Sequence, residues 1–67
     1  MSGGPLTTKQ RETLQLIADG LSNDEAASRL HIAVRGVEQR VAAARWVLGA
    51  NNRVHMIALA IRKGYIK

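Results

Sequence analysis

The stretch Ser22–Val41, "SNDEAASRLHIAVRGVEQRV", decides how this 67-residue chain folds. It reads as a helix, a very short break and the start of another helix. Ser22 with Glu25 three positions on is a capping-box pair, in which each residue satisfies a free backbone N–H of the other. Asp24 and Glu25 place negative charge in the first turn, where the helix dipole favours it. Ala26, Ala27 and Leu30 then share one face. After the break, Val37, Val41, Ala44 and Leu48 line a longer helix closed by Gly49. The alanines on both sides of the break let two helix backbones approach closely, as a tight helix–turn–helix corner requires.

Working outward, the same signals recur. Thr7 with Gln10 is a second capping box, and Leu14, Ile17, Ala18 and Leu21 follow as a first helix ended by Gly20. Asn51 or Asn52 can cap a fourth helix, with Ile57, Ala60 and Ile61 inward and Gly64 past its end. No stretch alternates with period two. The fold class expected is all-α, a compact unit of four helices with short connections. Residues 1–5, "MSGGP", read as a disordered lead-in or linker, and 6–67 as the folded domain.

Composition narrows the function. There is no cysteine, hence no disulfide or thiolate metal site, and the two histidines, His31 and His55, have no clustered carboxylates around them. The longest apolar run, Met56–Ile61, is far short of the roughly 18 residues of a membrane span, and no secretory h-region is present. A cytoplasmic, membrane-free protein is expected. Neither a nucleophile–base pair nor a phosphate-cradling glycine loop occurs, so an enzyme is not expected, and no cofactor is implied. Ten Lys and Arg against five Asp and Glu give a net charge of +5, which favours an anionic partner, nucleic acid first.

"LTTKQRETLQLIADGLSNDEAASRLHIAVRGVEQRV" (6–41), "LGANNR" (48–53) and "ALAIRKGYI" (58–66) resemble the LuxR/FixJ-type (GerE-like) helix-turn-helix domain of bacterial transcription regulators. The resemblance covers residues 6–66. It implies a four-helix unit whose third helix enters the major groove of double-stranded DNA and whose fourth forms a homodimer interface. It also implies a sensing or receiver domain elsewhere in the protein, unless the chain is a stand-alone regulator. Several positions depart from the family pattern: Thr8 and Gln10 for Pro and Glu, Asp24 for Lys, His31 for the turn glycine. Ala33 stands for the capping serine, Gly36 for Thr, and Glu38 for a frequent Lys or Arg.

On that reading Val34, Arg35, Glu38, Gln39 and Ala42 form the face that meets base edges. Arg35 suits guanine O6 and N7, Gln39 adenine N6 and N7, Glu38 the cytosine N4 amine, and Ala42 a thymine methyl. The bland alternative is a solvated polar helix face. Lys9, Ser22, Asn23, Arg40, Arg45 and Arg53 are candidates for backbone phosphates, with Ser22 also explicable as a cap alone. Arg62, Lys63 and Lys67 read as a solvated basic end. Trp46 is expected to pack against the fourth helix. Val54, Ala58 and Ile61 make a second apolar stripe on that helix, either a self-complementary dimer contact or part of a broad buried face in a small protein. The rival function is an interaction module of the same fold, acting on another regulator or on RNA polymerase. Asp24 and Glu38, acidic at usually basic positions, favour it.

Overall fold

The computed structural model describes residues 6–67; the expected lead-in, 1–5, lies outside the described residues. Four helices follow one another: α1 (Thr8–Ala18), α2 (Asn23–Leu30), α3 (Val34–Leu48) and α4 (Arg53–Arg62). No strand occurs among the described residues. Both capping boxes form: the Thr7 side chain accepts from Gln10 N–H while Gln10 accepts from Thr7 N–H, and Ser22 and Glu25 do the same. Of the two asparagines offered for α4, Asn52 is the cap, its Oδ1 accepting from His55 N–H at 2.8 Å.

All four helices end alike. Past each end, one N–H bonds back three residues and the next bonds back five: Gly20 to Ile17 and Leu21 to Leu16; His31 to Ser28 and Ile32 to Ala27. Gly49 to Trp46 and Ala50 to Arg45, then Gly64 to Ile61 and Tyr65 to Ala60, complete the set. This double back-bond needs a left-handed residue at the turn. Gly20, Gly49 and Gly64 supply it with φ of 99°, 68° and 80°; at the α2–α3 corner His31 does so, with φ 59°.

α3 is the central beam, touching α1, α2 and α4, whereas α2 and α4 do not meet. Its N-terminal half, through Val37, closes on Ala26 and Ala27 of α2. Its C-terminal half, through Ala44 and Leu48, packs with Leu14 of α1, Met56 and Ala60 of α4, and the end residues Leu6 and Ile66. Val41 packs against both groups. The body measures 27 × 26 × 19 Å.

Two expectations about packing are corrected. Ile61, expected inward, is 47% exposed, and the buried axis of α4 runs through Met56 and Ala60 instead. At about 100° per residue, Ile61 lies well round the helix from both. Met56, unbranched and adaptable, fills the core there. Trp46 does not pack against α4 but is 84% exposed. It stands two positions from both Ala44 and Leu48, so the helix twist turns it away from the face those residues share with α4.

Candidate nucleic-acid interface

The α2–α3 corner fixes which face of α3 is free. Three residues, His31–Ala33, separate the helices, and Ile32, the corner's apolar residue, packs into the α2–α3 cluster. With Val37, Val41, Ala44 and Leu48 turned inward, Arg35, Glu38, Gln39 and Ala42 are all exposed. Their i, i+3, i+4, i+7 spacing puts them on one side of the helix. Val34 is at the border: it is half-buried and packs against Ala26, Ala27 and Val37, so only part of its side chain faces outward with the others.

Gly36 lies just beside this stripe. A Cβ there would approach Ile32 Cδ1 to 3.3 Å, tight but against the tip of a flexible chain. Ala33 occupies the α3 N-cap with extended backbone and no side-chain bond. The free N–H groups of the first turn of α3 therefore lack the side-chain acceptor that the other three helices have.

The candidate phosphate contacts divide by what already holds them. Arg40 reaches back to α1, its guanidinium donating to the Thr13 hydroxyl at 3.4 Å; Thr13 is fully buried and donates to Lys9 C=O at 2.9 Å. Arg45 donates to the carbonyls of Ala50 (3.4 Å) and Asn51 (3.0 Å), bracing the α3–α4 loop. Each guanidinium keeps further N–H donors. Lys9 and Arg53 are exposed at the starts of α1 and α4.

Ser22 accepts from Glu25 N–H and retains its own hydroxyl proton for donation. The Ser22 backbone and side-chain bonds hold the Glu25 carboxyl below its ordinary pKa. That carboxylate, with Asp24 beside it, already offsets the positive end of α2. Asn23 has its Oδ1 buried without a hydrogen-bond partner; only its amide nitrogen can donate to a phosphate.

Charge is distributed unevenly along the chain. From Val34 onward there are seven basic residues (Arg35, Arg40, Arg45, Arg53, Arg62, Lys63 and Lys67) and one acidic residue, Glu38. The earlier part is near balance, so the positive field belongs to α3, α4 and the C-terminal end.

On α4, Val54 is 80% and Ile61 47% exposed, with Ala58 half-buried between them. The three fall on one outward face by their i, i+4, i+7 spacing. Several polar contacts carried no periodic signal in the sequence. Gln15 and Lys67 exchange two bonds, Lys67 N–H to Gln15 Oε1 at 2.9 Å and Gln15 Nε2 to Lys67 C=O at 3.2 Å, tying the C-terminal residue to α1. His55 Nδ1 accepts from Asn51 N–H at 2.9 Å. No cluster of three or more His, Cys, Asp or Glu stands together among the described residues, and no helix of the described residues is long and apolar enough to cross a membrane.

The family model "GerE: Bacterial regulatory proteins, luxR family" matches residues 4–60. The chain belongs to that family. Among its luxR-family relatives, the transcriptional activator protein BjaR1 of Bradyrhizobium diazoefficiens is 44% identical over 57 residues, 85% of this chain and 24% of BjaR1. The transcriptional regulatory protein DesR of Bacillus subtilis is 33% identical over 63 residues, 94% of this chain and 32% of DesR. The solved structure of the transcription factor GerE superposes with a TM-score of 0.92 at 25% identity, covering 97% of each chain. The luxR-family fold expected from the sequence is therefore the one observed. This chain spans about a quarter of BjaR1 and a third of DesR.

Proposed function

We propose that this luxR-family domain binds double-stranded DNA in sequence-specific fashion, as part of a transcription regulator, with α3 in the major groove. The observation that carries the reading is the exposed stripe Arg35, Glu38, Gln39 and Ala42. It lies on a helix whose opposite face is locked by two packing clusters. Arg35 and Gln39 read base edges through paired donors and acceptors, Glu38 accepts from a cytosine amine, and Ala42 with the outer part of Val34 meets methyl groups. Lys9, Ser22, Asn23, Arg40, Arg45 and Arg53 contact phosphates. Two copies pair through the Val54, Ala58 and Ile61 face of α4, matching a two-fold site.

Selection of bound sequences from a random duplex library, followed by titration at increasing salt, tests this. The log of the binding constant falls with log salt at about −0.9 per phosphate neutralised. Arg35→Ala and Gln39→Ala lose about 1–3 kcal/mol on the selected site and little on scrambled duplex. Equal losses on both duplexes would reduce the stripe to a backbone contact.

A second reading, an interaction module of the same fold that acts on another regulator or on RNA polymerase, is favoured by one observation. Asp24 and Glu38 are both exposed, so each carboxylate would face the phosphates. Failure to bind any duplex at low salt would leave this reading in place of the first.

A further inference from the structure

Trp46 is the chain's only tryptophan, and it is 84% exposed. Its position on α3 is informative. Trp46 stands at i+4 from Ala42 and i+7 from Gln39, so the indole continues the outward stripe rather than starting a separate patch. Beside it, Arg45 is held down on the carbonyls of Ala50 and Asn51. With Ala42, Gly49 and Ala50 these residues frame a shallow open depression. The rise of about 1.5 Å per residue puts Trp46 roughly 6 Å along the helix beyond Ala42, the last of the base-reading residues.

We infer that Trp46 is a DNA-positioning residue, seating the C-terminal end of α3 on the wall of the groove, and this rests on the DNA-binding reading above. A helix whose first turns enter the groove meets the sugar–phosphate wall beyond its last base-reading residue, and Trp46 stands one helix turn past Ala42. An indole suits that wall on two counts. Its Nε1–H is a donor with no acceptor capacity, matched to a phosphate oxygen, and its ring covers apolar deoxyribose surface. The surrounding charge is complementary, because the chain from Val34 onward is strongly basic. The contact carries no charge, so it fixes the register of the helix without adding to counterion release.

The single tryptophan makes the inference directly readable. An end-labelled duplex obtained by selection is titrated while its anisotropy and the Trp46 emission are both recorded. The emission changes saturably and in step with the anisotropy. Trp46→Ala weakens binding roughly three- to tenfold, the scale of one neutral hydrogen bond with its packing, to a similar degree on selected and scrambled duplex. The salt slope is unchanged, unlike that of Arg53→Ala, which becomes shallower. Trp46→Phe, keeping the apolar face without the donor, falls between. Because the ring is so exposed, both variants melt as the parent does.

Duplex binding by anisotropy with constant Trp46 emission and an unaltered Trp46→Ala affinity overturns the inference and leaves DNA binding intact. Emission that shifts with protein concentration before any DNA is added also overturns it, assigning the ring to a protein contact. Absence of duplex binding at low salt instead defeats the DNA-binding reading on which it rests.

Discussion

His31→Gly should stabilise the domain, although it removes a side chain and touches the corner that orients α3. The four helix ends share one pair of back-bonds, and three of the turns use glycine. His31 performs the same task with φ 59° and ψ 41°. A residue with a Cβ in the left-handed region is disfavoured by about 1–2 kcal/mol. Glycine relieves that strain but makes the unfolded chain more mobile, which returns about 0.5–1 kcal/mol. The His31 side chain is exposed, so little packing is lost. The balance is a gain centred on about 0.75 kcal/mol, the extremes being about 0 and 1.5.

For a domain of this size each kcal/mol moves the melting temperature by about 4–8 °C, so a rise of roughly 2–8 °C is expected. Thermal melts followed by circular dichroism measure it. Urea titration adds a second reading, in which the midpoint rises and the slope m stays constant. Gly49→Ala is the mirror control. A Cβ there meets nothing within 4 Å, so any loss, expected at about 1 kcal/mol, comes from backbone conformation alone. A destabilised His31→Gly beside a destabilised Gly49→Ala would refute the strain argument, because both rest on the same turn geometry.

Three further outcomes are expected. Ala33→Ser adds the missing side-chain acceptor at the α3 N-cap, where the backbone is already extended, and raises stability by about 1 kcal/mol; an unchanged urea midpoint would count against an open cap. Glu25 has its folded pKa lowered by its bonds to Ser22, so its contribution is present above its unfolded value, about 4.3, and is lost as the pH falls through the lower folded one. Glu25→Gln, which can keep the capping box, should lose less stability between neutral and acid pH than the parent, and parallel stability–pH curves would remove the effect. Glu38→Lys should tighten binding to scrambled duplex and steepen the salt slope by about 0.9, while erasing preference at one base pair; unchanged selectivity would take Glu38 out of the base-reading set.

Local grammar made most of the fold legible. The pairs Thr7–Gln10 and Ser22–Glu25, the glycines at 20, 49 and 64, and the apolar spacing of α3 each act within a turn or two of the chain, and all are as expected. The sequence is less legible where the outcome depends on which helix lies opposite. Several faces of α4 are apolar, so periodicity alone could not choose Met56 over Ile61, and the choice came from the space beside Leu14 and Leu48. For Trp46 a large apolar ring suggests burial, whereas its angular position relative to Ala44 and Leu48 exposes it. The Thr13–Arg40 bond and the Gln15–Lys67 pair join residues 27 and 52 positions apart, and side chains so separated leave no pattern in the sequence.

The stripe on α3 and the apolar face of α4 are linked by geometry, which bounds the DNA site a dimer could span. α3 packs against α4, and packed helices lie about 8–10 Å apart. Two copies joined through Val54, Ala58 and Ile61 place one further helix–helix spacing between the two α4 axes. Three such spacings in line reach about 24–30 Å between the α3 axes. The outward side chains extend each helix by a further 5–6 Å or so. The stripe also lies about 11 Å along α3 from the Ala44–Leu48 contact with α4, so the two reading faces stand at most roughly 56–64 Å apart. One turn of DNA separates half-sites by about 34–36 Å, two turns by about twice that. A dimer built on α4 can bridge the first spacing and cannot reach the second. Selected duplexes should accordingly carry paired half-sites about ten base pairs apart, and preferred sites two turns apart would place the dimer contact somewhere other than Val54, Ala58 and Ile61.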